Sequence, residues 1–251
     1  MNLIETENLC KIYKRPQNEL LKAVDNVSIK IPQGKTYGLV GESGSGKSTL
    51  GMMIAKLLKS DSGKILLNGK DINNFTKQEE KDFRKKVQIV FQNSSDSLNP
   101  KMPVKKIIEE PLIIHKNAAT KAERKYLVNE IRTLCGLENS VMDRYPSELS
   151  GGQRQRVSIA SSMIIKPEFL ILDEAVSSLD VLIQAQILNL LKLMQKSFGT
   201  TYLFISHNLN VISYMSDIIG VMKDGKIVEE GAAQKLLSSP SHPYTKKLFD
   251  I

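Results

Sequence analysis

Gly41-Glu42-Ser43-Gly44-Ser45-Gly46-Lys47-Ser48 is the stretch on which the fold turns. It fits G-x-x-x-x-G-K-[ST] without deviation. Before it, Thr36 to Val40 form a short apolar run that reads as a strand. After it, Leu50, Met53, Ile54, Leu57 and Leu58 fall at helical spacing. Strand, glycine-rich loop and helix are the context a phosphate loop requires. The three glycines let the backbone curl, so that several N–H groups of the loop, whose residues Gly41, Glu42, Ser43, Gly44, Ser45 and Gly46 are all candidate nucleotide contacts, can point inward at phosphate oxygens. The helix start adds the positive end of its dipole. Lys47 is expected to reach the β- and γ-phosphates and the Ser48 hydroxyl to ligate Mg2+, with Thr49 a further nucleotide contact. Alone, the motif does not separate ATPases, GTPases and kinases. No Asn-Lys-x-Asp segment exists to read guanine.

Working outward, 251 residues suffice for one α/β domain with a subdomain. A content of 41% hydrophobic and 25% charged residues is ordinary for a globular protein. No apolar stretch approaches the roughly 18 residues that span a bilayer. Met1-Asn2-Leu3-Ile4-Glu5 lacks a basic-then-apolar leader pattern, so the expectation is a cytosolic chain that reaches a membrane through partners. Cys10 and Cys135 have no C-x-x-C spacing and read as packing residues. No Cys/His cluster has metal-ligand spacing. The formal charge is +8, but the lysines are scattered rather than interleaved with aromatics. That reads as a solvated basic surface, and no nucleic-acid partner is expected.

Residues 3–40 read as strands and turns, with Val27, Ile29 and Ile31 alternating as one half-buried strand and Pro32-Gln33-Gly34-Lys35 as a turn. Residues 65–92 read as further strand, including Val87 to Phe91. From about 103 to 165 the pattern is helical, with Leu127, Ile131, Leu134 and Cys135 in one stripe that Gly136 ends. Alternation then returns as strand 168–173, helix 181–197 and strand 201–206, followed by a hairpin at Asp224-Gly225. The expectation is one domain: an α/β core over about 1–92 and 166–251, interrupted by a helical insertion at about 93–165.

Two further segments carry chemistry. Phe169-Leu170-Ile171-Leu172 is a continuous apolar run, as in a buried parallel strand, and Asp173 and Glu174 emerge at its C-terminal end. Leu149-Ser150-Gly151-Gly152-Gln153 is a second anion-receptive helix start: Ser150 can cap, Gln153 lies in the first turn, and two glycines permit close phosphate approach.

Phosphate loop, Leu-Ser-Gly-Gly-Gln and acidic strand, in that order, resemble the ATP-binding-cassette ATPases that drive ABC transporters. The resemblance implies a P-loop NTPase with a RecA-like core, an antiparallel β subdomain and an inserted helical signature subdomain. It implies ATP and Mg2+ as cofactors. It gives Asp173 a metal role, Glu174 the part of polarising the attacking water, and His207 that of contacting the γ-phosphate and orienting the water. It makes Tyr13, within Leu9-Cys10-Lys11-Ile12-Tyr13, the adenine-stacking aromatic, and Gln92 a member of the Mg2+ and γ-phosphate shell. It implies that Ser150, Gly151, Gly152 and Gln153 complete the ATP site of a second, head-to-tail cassette. Asp180, in Ser177-Ser178-Leu179-Asp180, falls in the loop through which paired subunits communicate. Two departures stand out: Ala175-Val176 replaces the family's usual Pro-Thr, and Ser161-Ser162 replaces Arg-Ala. His115 and His242 read as surface residues.

Within the family, Ser97-Leu98-Asn99-Pro100, Glu110-Pro111-Leu112 and His242-Pro243-Tyr244-Thr245-Lys246 resemble the peptide and nickel importer branch. That implies a peripheral subunit on the cytoplasmic face of the membrane. Its implied partners are a related second cassette, two permeases and, indirectly, an extracellular binding protein. Peptides, nickel and metal–chelator complexes all remain open as cargo. A soluble assembly or repair ATPase and a nucleotide sensor without turnover are the alternatives; the branch motifs argue against the first, Glu174 and His207 against the second.

Overall fold

The structure is a computed structural model that describes residues 1–14, 20–92 and 97–249. Along the chain run β1 (Asn2–Lys14), β2 (Leu20–Val27), β3 (Lys30–Pro32), β4 (Thr36–Val40), α1 (Lys47–Ile54), β5 (Ser62–Leu67), β6 (Lys70–Asp71), α2 (Lys77–Lys86) and β7 (Val87–Val90). Then come α3 (Val104–Ile114), α4 (Lys121–Leu134), α5 (Gly151–Met163), β8 (Phe169–Asp173), α6 (Val181–Phe198), β9 (Thr201–Ile205), α7 (Leu209–Met215), β10 (Ile218–Lys223), β11 (Lys226–Ala232), α8 (Ala233–Ser238) and α9 (Pro243–Leu248). They group into two compact units, Met1–Arg84 with Thr200–Ile251, and Lys85–Gly199.

In the first unit β4 lies between β9 and β10, parallel to both, and β11 returns antiparallel on β10. β4 and β9 are buried at all five positions, each apolar after an opening threonine, as in strands covered on both faces. Burying each leucine or isoleucine there is worth about 1.5–3 kcal/mol, an upper estimate against an extended chain. A second sheet, antiparallel, has the order β2-β1-β5-β6, with β3 also on β1.

Three local expectations are corrected. Val27, Ile29 and Ile31 are all buried, but not in one strand: Asn26 turns left-handed at φ 56°, β2 stops at Val27 and β3 begins at Lys30. α1 ends at Ile54 rather than running on through Leu58. Lys56 is left-handed (φ 57°), and the Leu57 and Leu58 N–H groups both donate back to the Met52 carbonyl, leaving Leu57 59% exposed. Lys77–Lys86, expected as strand, is a helix. Its start is a reciprocal cap: the Glu79 N–H donates to Thr76 Oγ1 (3.3 Å) and the Thr76 N–H to Glu79 Oε2 (3.0 Å). Phe83 is its one buried side chain, edge-on to Phe75.

In the second unit β7 and β8 pair in parallel, with Val90 opposite Leu172. Of the stripe expected in α4, Ile131 and Cys135 are buried and Leu127 and Leu134 half-buried; Gly136 follows in the left-handed region (φ 63°). Burial pushes the Cys135 thiol up to about 12, so it stays a neutral packing group. α6 runs from an Asp180 cap to left-handed Gly199. Among the described residues no helix is long and apolar enough to cross a membrane.

Candidate nucleotide site

The phosphate loop leaves the C-terminal end of β4 and enters α1 at Gly46. Gly46 has φ 107°, and a Cβ there would lie 2.0 Å from the Ala23 carbonyl oxygen in β2. A Cβ on Gly41 would lie 2.1 Å from the Met222 carbonyl oxygen in β10. Backbone therefore presses the loop from two sides, and only glycine fits at either end. Lys47, 6% exposed, folds back inside the loop. Its Nζ donates to the carbonyls of Gly41 (2.8 Å) and Glu42 (2.8 Å) and to Ser45 Oγ (3.3 Å). Glu42, Ser43, Gly44 and Ser48 are exposed, Ser45 is buried, and Thr49 is half-buried. The loop is tied down from behind: the Gly225 N–H donates to the Ser45 carbonyl (3.0 Å) and the Glu42 N–H to Tyr244 Oη (3.1 Å).

His207 leaves the same edge of the sheet, because β9 runs parallel beside β4. The Ser206 N–H continues the ladder to the Leu39 carbonyl (3.2 Å). Asn208 then caps α7 by accepting from Asn210 and Val211, so His207 is exposed between a strand end and a capped helix. Tyr13 lies opposite Leu21 of β2, the strand whose Ala23 touches Gly46. Its ring is 38% exposed and has the Lys11 Nζ 5.7 Å from its centroid.

In the second unit Asp173 closes β8 and is buried. Glu174 follows in the left-handed region (φ 50°), held there by the Ser177 N–H and Oγ, which both donate to its carbonyl (3.1 and 3.0 Å). That backbone costs a non-glycine residue about 1–2 kcal/mol, and such strain gathers where a side chain must be aimed. Gln92 lies two residues beyond Val90, as Glu174 lies two beyond Leu172, so the register brings both to one edge. Ser150 and Gln153 cap α5 reciprocally: the Gln153 N–H donates to Ser150 Oγ (3.3 Å) and the Ser150 N–H to Gln153 Oε1 (3.0 Å). Gly151 and Gly152 form the first turn. A Cβ on Gly152 would lie 2.6 Å from Ile183 Cγ2 of α6, and Asp180 Oδ1 caps that helix by accepting from the Ile183 N–H (2.9 Å). Signature and Asp180 are thus neighbours through one glycine.

The residues expected to act fall into two sets. Tyr13, Gly41 to Thr49 and His207 lie in the first unit; Gln92, Ser150 to Gln153, Asp173, Glu174 and Asp180 lie in the second. Of Asn93 to Pro100, Asn93, Ser94, Ser95 and Asp96 are outside the described residues. His115 and His242, expected at the surface, are half-buried. His242 caps α9, its Nδ1 accepting from the Tyr244 N–H (3.1 Å). Sequence reading assigned no site role to Met222, Gly225 or Tyr244, the residues that brace the loop. Only the Asp-Gly turn and the His-Pro-Tyr-Thr run were visible, and neither says where its atoms point.

A glycine-rich loop closed round a buried lysine, with a second capped, glycine-opened helix start, defines a nucleotide-binding cassette. The pattern of the ABC transporter family matches residues 24–177, and the chain belongs to that family. It is an ATP-binding cassette ATPase. It is 46% identical over 247 residues to the oligopeptide transport ATP-binding protein OppF of Streptococcus mutans, covering 98% of this chain and 80% of that one. It is 45% identical to the dipeptide transport ATP-binding protein DppF of Lactococcus lactis, with 98% and 80% covered. Among solved structures it is similar to the dimeric post-hydrolysis state of the cassette MJ0796 bound to ADP and Pi, with TM-score 0.83, 30% identity, and 92% of this chain and 98% of that one covered.

Proposed function

We propose that this ATPase energises peptide uptake across a bacterial membrane, from its cytoplasmic face, through partner permeases. The observation that carries the cargo class is identity of 45–46% over nearly the whole chain to oligopeptide and dipeptide transport ATP-binding proteins. Ser97 to Pro100, Glu110 to Leu112 and His242 to Lys246 support the same branch. Nickel or metal–chelator uptake, open on those motifs alone, gains nothing from these relatives. The insertion expected at about 93–165 acts as a subdomain of one cassette domain, and an extracellular binding protein delivers the cargo to the permeases.

In this reading the loop from Gly41 to Ser48 holds the phosphates, Thr49 follows them into α1, and Tyr13 stacks on adenine. Ser48, Gln92 and Asp173 offer hydroxyl, amide and carboxylate oxygens, the hard donor set that Mg2+ takes. The ion, when bound, neutralises charge on the β- and γ-phosphates. Glu174 accepts the proton of a water as the water oxygen bonds to the γ-phosphorus and the bond to the ADP oxygen breaks. His207 orients that water. Ser150, Gly151, Gly152 and Gln153 close over the ATP of a second, related cassette, and Asp180 links the two sites. Driving such a pair from 1:99 to 99:1 closed needs about 5.5 kcal/mol of differential binding, which contacts to two γ-phosphates supply.

The test is ATPase activity in the reconstituted assembly of both cassettes, permeases and binding protein. Glu174→Gln lowers phosphate release by about 10²–10⁴ while ATP still holds the pair together. Peptide-loaded binding protein stimulates release, and nickel-loaded binding protein does not. Equal release from Glu174→Gln and the unaltered chain defeats the catalytic assignment; stimulation by nickel alone defeats the cargo assignment.

A further inference from the structure

The peptide unit joining Gly41 to Glu42 opens the phosphate loop, and it is gripped at both ends. Its carbonyl oxygen accepts from Lys47 Nζ at 2.8 Å, and its N–H donates to Tyr244 Oη at 3.1 Å, from 202 residues away. Rotation of this plane would take the carbonyl off the lysine. Whatever fixes the N–H therefore also fixes one of the three oxygens that seat the Lys47 ammonium.

Tyr244 is itself held rigidly. It is 7% exposed and occupies the first turn of α9, behind Pro243, whose ring presets the helical φ. The Glu229 carboxylate of β11 gathers the approach to that helix, accepting from the Ser241 N–H (2.7 Å), Ser241 Oγ (2.7 Å) and the His242 N–H (3.1 Å). Burial opposes its charge, but the bonds from Ser241 and His242, with the Thr245 hydroxyl nearby, outweigh that and hold the carboxyl down to about 2. On the ring face, Lys223 Nζ lies 4.9 Å from the Tyr244 centroid. Lys223 directly follows Met222, whose carbonyl abuts Gly41. One corner of the sheet thus seats both the tyrosine and the glycine it serves.

We infer that Tyr244 is a positioning residue for ATP binding: its hydroxyl sets the Gly41–Glu42 peptide plane and, through it, the direction of the Lys47 ammonium. The inference rests on the reading that the loop from Gly41 to Ser48 holds the phosphates. It gives the His242-Pro243-Tyr244-Thr245 run a task in the nucleotide site and makes α9 a brace for that loop.

Tyr244→Phe deletes the acceptor and keeps the ring on Lys223. In the full chain with its partner cassette and permeases, it raises the Kd for Mg-ATP and the KM about three- to tenfold, the scale of one lost hydrogen bond to a backbone amide. It leaves kcat within twofold and the nucleotide-free melting temperature unchanged. Glu229→Gln loosens the approach to α9; it weakens ATP about two- to threefold in the Tyr244 chain and adds nothing in the Tyr244→Phe chain, because both act through one bond. ATP affinity of Tyr244→Phe equal to that of the unaltered protein overturns the inference, and so do additive effects of the two substitutions. Lys47→Ala separates the layers. If it too binds ATP unchanged, the phosphate-loop reading falls and takes the inference with it; if it loses ATP while Tyr244→Phe does not, the inference alone falls.

Discussion

Among single residues, the glycines of the phosphate loop are not equivalent. Gly44 (φ 81°) faces open space, so alanine there bears only backbone strain. Gly46 combines φ 107° with a carbonyl oxygen 2.0 Å from any added Cβ, and neither backbone can yield without moving β2 or α1. Gly46→Ala should cost at least tenfold in ATP affinity, about 1.4 kcal/mol, and lower the melting temperature. Gly44→Ala should cost clearly less on both counts, as calorimetric titration and thermal melts will read. Sequence spacing located these glycines because a phosphate loop is a local pattern. It also singled out Glu174 as a candidate, but not its left-handed backbone, which depends on Ser177 closing the turn behind it.

For elements, legibility followed how local the signal was. β4, β8, β9 and α6 were readable to within a residue or two, since continuous apolar runs and capped periodic stretches declare themselves. α2 was not: ten largely charged residues bury only Phe83, so no repeat of apolar residues exists to read, and its clearest cue was the Thr76–Glu79 capping pair. The packing of α5 on α6 was likewise invisible, and it gives Gly152 two possible reasons to be glycine. One is the Ile183 methyl 2.6 Å from its would-be Cβ; the other is a partner's phosphate. Gly152→Ala should cost about 1–3 kcal/mol by overpacking, and most of that should vanish in an Ile183→Ala background. Phosphate release by the assembly should stay low in the double variant, since the added methyl still projects from the helix start. Recovery of release together with stability would leave Gly152 a packing residue only.

Over the whole molecule, the parts read from sequence are those built by neighbours in the chain, and the parts missed are those built by return visits. β10, its hairpin and α9 come back from beyond residue 217 to support a loop that ended at residue 48. Two turns that look alike on paper show the difference. Asn68-Gly69 and Asp224-Gly225 each join antiparallel strands, and each carries positive φ at both positions. Gly69 looks onto open space. Gly225 donates to Ser45, accepts from the Asp25 N–H (2.8 Å) and has the Lys22 carbonyl 2.7 Å from a would-be Cβ. Small turns are ordinarily where a chain tolerates being lengthened or nicked. A short epitope tag spliced between Asn68 and Gly69 should leave a working ATPase. The same tag between Asp224 and Gly225 should abolish nucleotide capture, because that bend is a rivet through three segments of chain.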